Sequence, residues 1–162
     1  MADPRDALER LLEEVPVASL AVQGDDGPAV SLTPWARTRG PTRLWILVSE
    51  LSAHTAALRA HGRAGVMVSE AWREGDPRSN HALTRVMLTA TARFVGRDEA
   101  RARGAEAGYR ARFPIAETLL GLGDFHWVEL TPTGAGGFVM GFGRAYRVEG
   151  DDLEVLTHVT GK

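Results

Sequence analysis

The residues best suited to chemistry lie in one run, Leu47-Val48-Ser49-Glu50-Leu51-Ser52-Ala53-His54-Thr55, which sets three kinds of polar side chain where an extended segment passes into a helix. At such a junction the first helical N–H groups have no intrahelical acceptor and the positive end of the helix dipole is exposed. An anion, a phosphate above all, is the natural guest. The same residues also fit a plainer reading, with Ser52 as a helix cap and His54 solvated. Arg85 is a second candidate, near the start of a strand whose opposite face is apolar, so that its side chain points away from that core. A surface arginine fits that position equally well. Arg144 closes Gly141-Phe142-Gly143-Arg144, a glycine-spaced stretch that admits a flat ligand or, as readily, marks a β-bulge inside the last strong strand.

Other chemistries are missing. The chain has no cysteine, which excludes disulfides, thiolate metal sites and cysteine nucleophiles. Its histidines, His54, His61, His81, His126 and His158, do not share the spacing of a metal site. No GxSxG elbow, no phosphate loop of the GxxxxGK[ST] kind and no GxGxxG after a first strand is present. With 19 Lys+Arg against 21 Asp+Glu the net charge is −2, without the broad positive field that nucleic acid requires. No apolar run is long enough to span a membrane, and the charged, amphipathic stretch Met1–Glu14 does not read as a signal peptide, so a cytoplasmic location is expected.

The elements that must position these residues follow from periodicity and turn chemistry. Asp3-Pro4 opens a short helix carrying Leu8, Leu11, Leu12 and Val15 on one face, ending near Pro16. Val17–Gln23 and Pro28–Arg37 form a hairpin around Gly24-Asp25-Asp26-Gly27, and Leu44–Ser49 is a third strand. Ser52–His61 is helical and closes at Gly62. Strand returns at Gly65–Ala71, Trp72–His81 is a loop, and Thr84–Val95 is a long strand with Val86, Leu88, Ala90, Ala92 and Phe94 on one face. Asp98 caps a charged helix to about Phe113, a short helical piece covers Glu117–Leu120, and strands Phe125–Leu130 and Phe138–Val148 follow, with a weak one over Leu153–Val159. The four tryptophans, Trp35, Trp45, Trp72 and Trp127, are expected as core and dimer-interface bulk. All 162 residues form one α+β domain, a six- to seven-stranded antiparallel split β-barrel with flanking helices, since closure removes sheet edges.

With these residues in view, the chain resembles the pyridoxamine 5′-phosphate oxidase-like FMN-binding split barrels, closest to the haem-utilisation (HugZ-type) branch. The likeness is carried by Ser49-Glu50-Leu51-Ser52-Ala53-His54-Thr55-Ala56-Ala57-Leu58, Gly75-Asp76-Pro77, Thr84-Arg85-Val86-Met87-Leu88, Tyr109-Arg110-Ala111-Arg112-Phe113-Pro114, and Gly123-Asp124-Phe125 with Val139-Met140-Gly141-Phe142-Gly143-Arg144-Ala145. The resemblance implies FMN at the interface of a homodimer. Ser31, Leu32 and Thr33 would line the flavin ring, Val48, Ser49, Ser52, His54 and Thr55 the ribityl phosphate, and Arg85 would face the flavin from a neighbouring strand. Arg144 joins this cofactor-binding set. His54 stands where the oxidases usually place a lysine, which implies a weaker, pH-dependent charge on the phosphate. Ala57 and Ala90 replace an asparagine and a glycine of the branch. The arginine- and histidine-rich motif that grips pyridoxal phosphate is missing, so vitamin B6 oxidation is not implied.

The implied function is an FMN-dependent oxidoreductase acting on an unidentified small molecule, with no catalytic side chain legible. Two alternatives stay open: a haem-binding or haem-degrading protein of the same fold, with His158 as the natural iron ligand, and a non-catalytic flavin-binding module. Neither nucleic acid nor membrane is expected as a partner.

Overall fold

The computed structural model describes residues 3–78 and 80–160; Ser79, in the expected Trp72–His81 loop, lies outside the described residues. Helix α1, Pro4–Glu14, starts where expected. The Asp3 carboxylate accepts from the N–H of Arg5 at 2.7 Å and of Asp6 at 3.3 Å, and Pro4 takes the first turn. Leu8, Leu11 and Leu12 are buried along its inner face. It stops at Val15 because a residue before proline is driven to extended backbone. Strands β1, Val17–Gly24, and β2, Gly27–Pro34, pair as an antiparallel hairpin.

The expected strand Pro28–Arg37 is in fact two. Trp35 breaks it: its N–H donates to Pro16 O at 3.2 Å and its indole Nε1 to Val15 O at 3.1 Å, so the chain turns a corner there. Beyond the corner β3, Ala36–Thr38, pairs with β4, Arg43–Ser49, at the other end of the sheet. Strand β4 is buried on both faces, one toward the barrel interior and one toward a helical layer. Helix α2, Ala53–His61, follows, closed by Gly62 in the left-handed conformation (φ 61°) that glycine adopts freely. Strands β5, Arg63–Ser69, and β6, Arg85–Val95, pair next, and Val86, Leu88 and Ala90 are buried on one face of β6, as the alternation predicts.

The single helix expected from Asp98 to Phe113 is broken. Gly104, at φ 78°, divides α3, Arg97–Ala102, from α4, Ala105–Arg112, and Gly96 rather than Asp98 is the N-cap residue. Helix α5 is Ala116–Gly121. The three helices cover the outer side of β4 with a second core of Trp45, Leu47, Tyr109 and Trp127.

The two strands expected at Phe125–Leu130 and Phe138–Val148 are also redrawn. Strand β7 runs unbroken over Phe125–Val139, 15 residues, followed by β8, Ala145–Glu149, and β9, Val155–His158. The Pro and Gly residues between Leu130 and Phe138 resemble a turn in the sequence, yet they stay in the strand because β6 pairs with Pro132, Thr133 and Gly137 on either side of a bulge at residues 134–136, and β8 pairs from Gly136. On its other side β4 pairs only to Leu130 and β8 only from Gly136, so Pro132 lies where one side of β7 has no ladder. Gly141 and Gly143, expected inside the last strand, instead form the β7–β8 turn.

The result is one antiparallel sheet ordered β2-β1-β5-β6-β7-β4-β3, with the β8–β9 hairpin attached to β7. It curls into a half-barrel flanked by helices, the α+β split-barrel fold expected. Trp35, Trp45 and Trp127 are core residues, so only Trp72 remains exposed. Most of the exposed apolar surface is aliphatic.

One packing constraint is sharp. Where β6 shifts register between Met87 and Thr89, a methyl group on Gly136 would fall 2.6 Å from Leu88 Cδ2 and 2.9 Å from Met87 O. Gly136→Ala is expected to destabilise the fold by about 1–3 kcal/mol, as overpacking does. Gly96→Ala, whose methyl meets nothing within 4 Å, should shift a denaturant midpoint far less. Equal midpoints for the two variants would count against the tight β6–β7 contact.

Candidate functional site

The end of β4 and the start of α2 form the densest polar cluster on the expected side. Ser52 is the N-cap residue of α2, and its side chain makes no capping hydrogen bond. Its hydroxyl is therefore uncommitted at a helix N-terminus. His54 Nδ1 lies 3.1 Å from Ser31 Oγ, across from β2, so two residues assigned separately from the sequence meet in the fold. The imidazole is half-buried, and desolvation lowers its pKa from 6.5. In the ligand-free protein at neutral pH, His54 is a neutral hydrogen-bonding group.

The remaining hydroxyls of the run hold the turn together. Thr55 is buried and its Oγ1 donates to Ser49 O at 2.6 Å. Ser49 Oγ donates to Asp124 Oδ2 at 2.9 Å and accepts from Leu51 N–H at 3.1 Å. Glu50 N–H donates to Asp124 O at 2.9 Å. Val48 is core, so its side chain faces the barrel interior. Asp124 is thus a structural partner of the cluster that sequence spacing could not reveal, because it is brought in from 75 positions away. Beside it, Glu50 accepts from Arg59 and lies 2.6 Å from His126 Nε2. Arg59 also stacks over the Phe94 ring at 4.1 Å.

The residues expected along the flavin ring divide between two faces of β2. Ser31 points to His54, and Thr33 is buried with Oγ1 donating to Pro34 O at 3.3 Å. Leu32 points outward, 74% exposed, next to Val30 at 70%. Along the outer face Leu32 is opposite Ser19, Ser19 opposite Met67, Met67 opposite Met87 and Met87 opposite Gly137.

Arg85 sits on that same outer face, opposite Ser69 and Val139. Its Nη1 donates to the carbonyl oxygens of His81 and Leu83, both at 3.1 Å, and among the described residues no carboxylate pairs with it. Arg144 closes the β7–β8 turn, its N–H donating to Gly141 O and its carbonyl accepting from Met140 N–H. The structure does not bring these arginines to the α2 cluster within one chain. Ser49 is opposite Phe125 and Arg85 opposite Val139, at the two ends of β7. Among the described residues no group of three or more His, Asp or Glu could hold a metal ion, and no helix is long and apolar enough to cross a membrane.

The lowered pKa of His54 carries a consequence for stability. Its folded-state value lies below the unfolded value of 6.5, so the unfolded chain binds the extra proton and stability is complete above 6.5 and declines as pH falls below it. Urea unfolding from about pH 8 to about pH 5 should show that acid loss, and His54→Gln should flatten it. An unaltered slope in His54→Gln would remove His54 as its source.

With this geometry established, known proteins are informative. The family model described as pyridoxamine 5′-phosphate oxidase matches residues 4–137. HutZ of Vibrio cholerae, named a haem oxygenase, is 31% identical over 144 residues, which cover 88% of this chain and 78% of that protein. Among solved structures, ChuZ of Campylobacter jejuni has a TM-score of 0.78 at 25% identity, covering 95% of this chain and 61% of that one, so the chain spans about three-fifths of ChuZ. The crystal structure of Vibrio cholerae HutZ, titled a haem storage protein, shares the fold with a TM-score of 0.73 at 24% identity, covering 86% of this chain and 99% of that one. The chain belongs to the pyridoxamine 5′-phosphate oxidase-like family, close to its HugZ and HutZ haem-utilisation branch.

Proposed function

We propose that the protein is an FMN-binding oxidoreductase of a still unidentified small-molecule substrate, working as a homodimer with its cofactor between the two chains. The observation that carries the reading is the uncommitted N-terminus of α2, where the Ser52 hydroxyl and the Ser31–His54 pair border unpaired helical N–H groups. A phosphate fits that donor set. Ser49 and Thr55 shape the turn through their own hydrogen bonds rather than by offering hydroxyls outward. Bound flavin would supply the electron chemistry, and the chain its position and electrostatics.

Two features taken together support the dimer. The outer face carrying Val30, Leu32, Met67 and Met87 is apolar and exposed, a surface that a second copy would cover. Arg85 lies on that face, at the opposite end of β7 from Ser49. If both serve one ligand, they come from different chains.

Haem is the second reading, supported by the likeness to HutZ. A neutral His54 imidazole is chemically able to bind iron. The His158 Nε2 atom, by contrast, lies 3.1 Å from Gly143 O and is already engaged. A flavin site without turnover would share the same geometry.

The visible spectrum of the purified protein separates flavin's two broad bands from haem's single intense one. For the FMN reading, fluorescence titration should show FMN bound more tightly than riboflavin by about ten-fold or more, the effect of losing one charge-assisted contact. A bound phosphate dianion favours the imidazolium, so FMN affinity should rise as pH falls below 6.5. Equal affinities for FMN and riboflavin would refute the phosphate site. Arg85→Ala should weaken FMN by about 1.5–3 kcal/mol while the fold persists. Light scattering at micromolar concentration should give twice the monomer mass, and a monomer would sink the shared site.

A further inference from the structure

The β7–β8 turn presents an aromatic side chain that no packing in the chain explains. Phe142 is 75% exposed. It stands between Gly141 at φ 113° and Gly143 at φ 68°, backbone conformations that favour glycine, so the turn depends on both neighbours to hold its shape. The turn is also tied down. Met140 N–H donates to Arg144 O at 3.0 Å and Arg144 N–H to Gly141 O at 3.4 Å. From β9, His158 places Nε2 3.1 Å from Gly143 O, with its ring edge-on to Tyr146 at 5.2 Å between centroids. Tyr146 in turn rests 6.1 Å from Phe138 in the core. A chain of contacts therefore runs from the barrel interior to the one turn that exposes Phe142.

The register places the turn at one end of the outer face. Val139, the last residue of β7, is opposite both Arg85 and Ala145, so the turn continues the end of the outer face where Arg85 lies. The α2 cluster has polar groups for an anion but no open aromatic: Phe94 is covered by Arg59, and Phe125 packs against the helical core. Among the described residues the exposed large aromatics are Phe142 and Trp72, and Trp72 lies in a loop outside any helix or strand. A flat, anionic ligand anchored at α2 of one copy thus lacks a stacking partner in its own chain, and the second copy has one beside an arginine.

We propose that Phe142 of one chain covers the ring of the planar anionic ligand held at α2 of the other, and that His158 is a positioning residue that fixes this turn through Gly143. The inference rests on the shared cofactor site proposed above. It assigns His158 a task other than iron ligation: with the proton on Nε2, the imidazole donates to the Gly143 carbonyl.

The test compares the full-length parent with Phe142→Ala, His158→Ala and His158→Gln, each titrated with FMN and with haemin and weighed by light scattering. Phe142→Ala is expected to remain dimeric and to weaken the ligand about five- to ten-fold, the loss of one aromatic stack. His158→Ala should weaken it similarly, and His158→Gln, which keeps an N–H donor, should recover parental affinity. The haemin absorption band should keep its position in His158→Ala. Parental affinity in Phe142→Ala would overturn the stacking role, and a His158→Gln variant as weak as His158→Ala would overturn the positioning role. A haemin band that shifts in His158→Ala and returns with added imidazole would make His158 the iron ligand, against the inference. A parent that binds neither FMN nor haemin fails the cofactor reading itself, and is told apart because no variant is needed to see it.

Discussion

The fold depends on β7. It is paired with β6 along most of its length, with β4 at its first end and β8 at its last, so both the cluster at the end of β4 and Arg85 take their positions from it. A strand that long must bend to close a half-barrel, and its middle carries the means: a proline where one ladder lapses, a register shift opposite, and Gly136 where the bulged strand approaches too closely for a side chain. The same length keeps the two groups of polar residues apart in one chain. Fold and site are thereby coupled, because whatever closes the barrel also fixes how far apart the half-sites lie.

The helical layer depends on a different interaction. Glu129 and Glu106 are buried carboxylates, and each is surrounded by guanidinium groups: Arg43, Arg93 and Arg103 for the first, Arg97, Arg101 and Arg110 for the second. Arg103 also lies over the Trp45 ring at 4.9 Å. Desolvating a lone carboxylate is costly, and the arginines around each one offset that cost. The Glu106 cluster joins α3 to α4, and Arg103, between the two helices, ties them to Glu129 of β7. That packing seals Trp45 and Trp127 and supports the strand end from which Ser49 and Glu50 project.

The sequence made most of the fold legible, because strand alternation and the caps at Asp3, Ser52 and Gly62 are local signals. It misled where local chemistry was overruled by pairing. The glycines and proline of β7 look like a turn, yet they form a bulge, with Gly134 at φ 64°, inside a strand that its neighbours pair on either side of it, whereas Gly141-Phe142-Gly143 looks like strand and is a turn. Gly104 was the break in the long helix, and nothing but its backbone angle marks it. At the site, residue types were legible and their partners were not. Ser31 and His54 meet, but Ser49, Thr55 and Val48 serve the turn and the core, and Asp124 enters from a distant loop.

The electrostatics of the α2 end then decide what kind of anion it can hold. Glu50 and Asp124 flank the turn, but Glu50 is paired with Arg59 and lies 2.6 Å from His126 Nε2, and Asp124 accepts from Ser49. The imidazole facing Ser31 is held neutral by burial. An anion bound at this end, as proposed, would be met by backbone N–H groups and a hydroxyl, which recognise shape and lone pairs more than charge. A full counter-charge has to come from elsewhere. Among the described residues the Arg85 side chain donates only to carbonyl oxygens, and it lies on the face that a second copy would cover. Assembly would thus complete the charge balance as well as bury the apolar face, so cofactor and dimer should stabilise each other by the same linkage that couples any two ligands of one folded state.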